Sequence, residues 1–120
     1  MITVLDLSPL IDLTREAFWE LCQANPDASL ERSPAGELIV MSPVGGESGR
    51  KELELGADLV IWNRTTELGV VFSSSTLFSL PGGGERSPDV AWVELSRWKA
   101  LTSEQPRKFP PLCPDFIIEL

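Results

Sequence analysis

No histidine occurs among the 120 residues, and that gap excludes more chemistry than any other feature of the composition. Without imidazole there is no Ser-His-Asp triad, no Cys-His dyad, no H-E-x-x-H zinc site and no two-His facial triad. Any metal must be met by oxygen ligands. Cysteine is almost as scarce: Cys22 and Cys113 lie far apart, form no C-x-x-C pair, and read as buried free thiols of a reducing compartment rather than as a disulfide. Long apolar runs are missing too. No stretch approaches the ~18 residues that cross a bilayer, and the opening Met1-Ile2-Thr3-Val4-Leu5-Asp6 has neither the basic region nor the apolar core of a signal peptide. These gaps point to a cytoplasmic location and no membrane partner. There is no internal repeat, low-complexity tract or linker, so residues 1–120 read as a single domain.

Positive charge is the remaining shortage. Ten Lys and Arg stand against eighteen Asp and Glu, a net charge of -8. The surplus is uneven, since residues 1–60 hold eleven acids and four bases while residues 61–120 hold seven and six. Such a surface repels nucleic acid unless divalent cations or a local basic rim offset the phosphates. Hydrophobic residues at 42% and charged residues at 23% are ordinary for a globular domain, so a packed core is expected.

The order of elements follows from periodicity and punctuation. Thr14 caps a short helix reaching about Asn25, with Ala17, Phe18, Leu21 and Cys22 on one stripe and Pro26 as its stop. Residues 28–32 and 37–42 flank the turn Ser33-Pro34-Ala35-Gly36 and read as a β-hairpin. After Pro43-Val44-Gly45-Gly46 a long helix is predicted from about Glu47 to Glu67, closed by Gly69. Leu53, Ala57, Val60 and Ile61 form one stripe and Leu55, Leu59 and Trp62 a second, so this helix is expected to lie between layers or at a subunit contact, which makes a homodimer the assembly to test. Strand signals follow at residues 70–73, 76–80 and 89–93, the last two separated by the hairpin loop Pro81-Gly82-Gly83-Gly84. Ser96 is expected to cap a short helix through Trp98 and Leu101, ended by Pro106, Pro110 and Pro111. The four tryptophans, Trp19, Trp62, Trp92 and Trp98, read as core or interface residues. The fold class is mixed α/β of the α+β kind. Because the sequence stops within the apolar run Phe116-Ile117-Ile118-Glu119-Leu120, the chain is expected to be a fragment of a longer reading frame or a truncated product.

Two acids sit where strands begin and end. Asp89 opens one strand and Glu119 lies late in the last. Antiparallel pairing of those strands brings the carboxylates together, whereas parallel pairing separates them by roughly 13 Å at about 3.3 Å per residue. Two adjacent carboxylates share a proton or recruit Mg2+ or Mn2+, and such a cation polarises a phosphoryl oxygen and lowers the pKa of bound water.

The segments Ser87-Pro88-Asp89-Val90-Ala91-Trp92-Val93 and Pro114-Asp115-Phe116-Ile117-Ile118-Glu119-Leu120, with Ser33-Pro34-Ala35-Gly36-Glu37 and Met41-Ser42-Pro43-Val44-Gly45-Gly46-Glu47 upstream, resemble the Uma-two family of restriction-endonuclease-like proteins, placed in the PD-(D/E)xK nuclease superfamily. The resemblance covers nearly the whole chain. It implies a restriction-endonuclease-like core of N-terminal helix and hairpin, long helix and antiparallel strands, with C-terminal strands and a helix missing beyond residue 120. It implies a Mg2+- or Mn2+-dependent endonuclease acting on nucleic acid, DNA ahead of RNA. Asp89 and Glu119 become the catalytic, metal-holding acids, and Glu47 an auxiliary metal ligand. Ser48 stands where many members carry His after the Gly-Gly turn, and the superfamily's lysine position, two after Glu119, falls past Leu120.

Each residue has a plainer role to set beside this one. Pro-Asp opening a strand is common turn chemistry, and Pro114-Asp115 is a second instance. Glu119 can face water on an edge strand instead of holding a cation. Glu47 can serve as a helix-dipole partner, and Arg50 and Lys51 as a solvated face. The alternative function is an inactive homo-oligomerising or binding module on the same scaffold. The acidic charge and the apolar helix favour it.

Overall fold

Thr14 has extended backbone and its hydroxyl accepts the Ala17 N–H at 3.1 Å, so the helix α1 (Arg15–Ala24) starts where a short polar side chain can replace a missing backbone acceptor. It buries Phe18 completely. The computed structural model describes residues 2–105 and 108–120; Pro106, expected to help end the last helix, lies outside them.

The strands form two sheets, and every pairing is antiparallel. β1 (Ile2–Leu5), β2 (Ser29–Arg32) and β3 (Leu38–Met41) combine with β5 (Phe78–Ser79) and β6 (Glu85–Arg86) in the order β1-β3-β2-β6-β5. β4 (Gly69–Ser73), β7 (Val90–Glu94) and β8 (Phe116–Ile118) form the second sheet in the order β4-β7-β8. With α2 (Gly46–Thr66) and α3 (Leu95–Lys99) the class is the mixed α+β one expected, consistent with a restriction-endonuclease-like core.

The β2–β3 hairpin is built as the punctuation predicts, whereas the loop over residues 81–84 joins β5 to the short β6 and not to residues 89–93, which run on into β7 of the other sheet. Gly36 takes φ of +85° in the first turn, and Gly84 takes +87° in the β5–β6 loop. At Gly84 a Cβ would stand 2.7 Å from the Arg32 carbonyl oxygen, so the loop can lie against β2 only without a side chain there. Two hydrophobic clusters sit beneath the sheets. Leu13, Phe18, Leu30 and Leu38 form one under the five-stranded sheet, and Phe78, Ala91, Val93 and Leu112 form the other around β7. Arg32 and Glu85 are buried as a bidentate pair at 2.6 and 3.1 Å, which ties β2 to β6.

Several expectations need correction. β1 carries no turn-bounded alternation and was not foreseen; it pairs with β3 across four residue pairs, although its own side chains stay exposed. The long helix is not buried between layers within the chain. No residue of α2 is buried, Leu53 and Ile61 are 76% and 62% exposed, and the double apolar stripe meets the second sheet along one side only. Its end is made by Glu67, in left-handed conformation at φ 54°, and not by Gly69. Gly69 is instead locked two residues on, exchanging hydrogen bonds with the Asn63 side chain at 2.8 and 3.1 Å. Glu94, not Ser96, precedes α3, because β7 runs directly into that helix. Neither cysteine is buried, Cys22 being half-buried and Cys113 exposed; both are free.

Candidate active site

Pro88 is buried immediately before β7, and its fixed φ delivers Asp89 at the mouth of that strand. β8 runs back beside β7 with Val90 opposite Ile118, Ala91 opposite Ile117 and Trp92 opposite Phe116. One step further in that register sets Asp89 across from Glu119. The Leu120 N–H donates to Asp89 Oδ2 at 2.7 Å, holding the two chain segments together at this end. Directly opposed residues of an antiparallel pair project from the same face with Cβ atoms about 4.5–5.5 Å apart. Of the two pairings weighed from the sequence, the antiparallel one is therefore observed, and it brings these two acids together.

The other end of the same ladder holds the second Pro-Asp pair, and the contrast is instructive. Asp115 accepts the Glu94 N–H at 2.9 Å and pairs with Arg97 at 2.9 Å. That backbone hydrogen bond, with Arg97 helping, holds the Asp115 carboxyl below the ordinary carboxylate range. Its negative charge is compensated. Glu119 behaves oppositely. Partial burial of its carboxyl, then the charges of Asp89, Glu31 and Glu52, push its pKa up.

Glu31 and Glu52 are the two acids that sequence reasoning passed over. Glu31 projects from β2 and accepts the Ser87 N–H at 2.7 Å, the Ser87 hydroxyl at 3.3 Å and Arg86 Nη1 at 3.2 Å. It thus fastens the five-stranded sheet to the segment that presents Asp89. A charged residue in the middle of a short strand was its only signal. Glu52 comes from α2 and shares with Asp89 a cavity of about 480 Å³ that Ser29, Ser42 and Ser87 also line. A second cavity, of about 430 Å³, holds Glu119, Glu31, Arg86 and Pro88. Asp89 thus lines the first cavity and Glu119 the second.

Glu47 is not brought to this place. It is exposed in the first turn of α2 and lines neither cavity. Five residues of helix separate it from Glu52, about 7.5 Å along the axis and roughly 140° around it, so the two point in different directions. Only Glu52 faces the strands.

Among the described residues no group of three or more Cys, Asp or Glu side chains is placed to hold a metal ion. What Asp89 and Glu119 offer is two adjacent carboxylates, the pKa of Glu119 being raised first by partial burial and then by the charge of Asp89. That donor set suits a hard cation which keeps several of its waters, as Mg2+ does, and does not suit a softer metal needing nitrogen or sulfur. No helix is long and apolar enough to cross a membrane among the described residues.

The profile of the Uma2 family, described as "putative restriction endonuclease", matches residues 15–120. No curated protein matches the sequence.

Proposed function

This chain belongs to the Uma2 family, and from that premise we propose that it is a divalent-metal-dependent endonuclease which hydrolyses phosphodiester bonds of nucleic acid, DNA ahead of RNA. One observation carries the reading: the β7–β8 register sets Asp89 opposite Glu119, each lining a cavity beside the pair, with an excess of negative charge around them. Asp89 and Glu119 are the residues that would hold Mg2+ or Mn2+, which when bound polarises a phosphoryl oxygen and supplies an acidified water.

The chain's own residues contribute placement. Asp89 is held from two sides, by Pro88 in the backbone and by the Leu120 N–H on its Oδ2, which leaves Oδ1 unengaged by any described donor. Glu31 secures Ser87 and so fixes the approach to Asp89. Glu119 stays partly protonated to a higher pH than an ordinary glutamate and becomes fully anionic when positive charge arrives beside it.

The exposed Leu53 and Ile61 of α2 favour a second reading, a non-catalytic homo-oligomerising module on the same scaffold. Titration with Mn2+ followed by calorimetry separates the two. The nuclease reading expects a millimolar or tighter isotherm for the intact chain that disappears in Asp89→Ala, with the fold retained by circular dichroism. An isotherm unchanged by that substitution, or none at all at millimolar Mn2+, removes the nuclease reading and leaves the module.

A further inference from the structure

A phosphodiester approaching Asp89 and Glu119 meets a strongly acidic neighbourhood, with Glu31 and Glu52 adding to the pair. A fixed positive group beside the pair would add to the cation in receiving the phosphate, and the described cations can be sorted by what already holds them. Arg32 is buried against Glu85 and the Leu13 carbonyl. Arg15 is turned to Glu85 and the Leu80 carbonyl. Arg97 is paired with Asp115 at the far end of the β7–β8 ladder. Arg64 lies in an apolar groove that also reaches Asp89, but twelve residues of α2 separate it from Glu52, about 18 Å along the axis. Arg50, Lys51, Lys99 and Lys108 are exposed and line none of the cavities that hold Asp89 or Glu119, Lys108 lying instead over the Trp19 ring.

Arg86 differs from all of these. It lies three residues before Asp89, lines the same cavity as Glu119, and is the only cation of that cavity among the described residues. Its side chain is 40% exposed, and Nη1 alone is engaged among the described residues, by Glu31 Oε1 at 3.2 Å. A guanidinium presents five N–H donors in a planar fork that fits a phosphate bidentately. Glu31 therefore orients the group at one nitrogen and leaves its remaining donors without a partner among the described residues. The geometry points to Arg86 as the substrate-binding residue that receives a nucleic-acid phosphate beside Glu119, with Glu31 as its positioning residue. This rests on the nuclease reading and adds to it the wall on which the substrate backbone lies.

Arg86→Gln keeps a donor to Glu31 and removes the charge, and Arg86→Lys restores the charge without the fork. Binding of a labelled duplex DNA is measured with Ca2+ present over a range of salt, and Mn2+ binding is measured on the same preparations. Arg86→Gln is expected to weaken DNA binding by roughly 10- to 100-fold, to lower the slope of log affinity against log salt by about one, and to leave Mn2+ affinity within about threefold. Arg86→Lys should recover the salt slope and part of the affinity. An unchanged slope in Arg86→Gln, or a loss of Mn2+ affinity as large as the loss of DNA affinity, overturns the assignment while the nuclease reading stands. An unaltered chain that binds neither Mn2+ nor DNA overturns both.

Discussion

Glu119 shows how one residue's surroundings become a measurable property. Its pKa is raised, first by burial of the carboxyl and then by Asp89, Glu31 and Glu52, so the folded chain keeps this proton to a higher pH than the unfolded chain does. Stability from this group is therefore fully present in acid and is lost as the pH climbs from the ordinary carboxylate range through the raised value. Glu119→Gln takes away the cost of ionisation. The variant is expected to melt higher than the parent at neutral pH, by less than about 1 kcal/mol because water screens an exposed carboxyl. The difference should vanish near pH 4, where the parent is protonated as well. Thermal melts across that range check the sign, and a gain that is larger in acid would contradict it. Asp115, with a lowered pKa, works in the opposite sense and loses its contribution as the pH falls. Two Pro-Asp pairs identical in sequence thus differ in surroundings, and only the partners that tertiary structure supplied, Glu94 and Arg97 for one and Glu119 for the other, separate them.

At the scale of elements, the join between α2 and β4 is where local chemistry is least forgiving. Asn63 Oδ1 accepts both the Gly69 N–H at 3.1 Å and the Trp92 indole N–H at 2.9 Å, so the end of the helix, the start of β4 and the middle of β7 meet in one side chain. A Cβ on Gly69 would lie 2.4 Å from the Trp92 ring and from the Val93 carbonyl. Gly69→Ala is expected to cost about 1–3 kcal/mol, read from denaturant unfolding. Gly56→Ala is the internal comparison. Its Cβ would meet Val90 Cγ2 at an ordinary 3.5 Å in mid-helix, so a gain of roughly 0.5–1 kcal/mol is expected there. Equal effects at the two positions would show that the close contact at Trp92 is relieved by a shift. Most element positions were legible from capping residues, turn glycines and strand alternation, as Thr14, Gly36 and the β5–β6 loop illustrate. Gly69 misled because its conformation answers to Trp92, 23 residues away in sequence and invisible to local pattern.

For the molecule as a whole, net charge sets the conditions under which it can meet its proposed partner. At -8 the chain repels a polyanion. Duplex DNA affinity is expected to fall at least about tenfold when EDTA removes divalent cations, and to return with millimolar Mg2+ or Mn2+. Fluorescence anisotropy measures it, and an affinity indifferent to chelation would mean that Asp89 and Glu119 do not couple cation to substrate. By itself the sequence determined the chemistry that is possible: no imidazole, oxygen ligands only, a mixed fold of α+β class, and acids at the ends of two strands. Those follow from residue identity and short-range periodicity. Which acids share a space was decided only in three dimensions. The two sheets converge at Ser87, Glu31 arrives from β2 and Glu52 from a face of α2 turned roughly 140° away from Glu47. Charge acts through distance in space, and no count along the chain contains that distance.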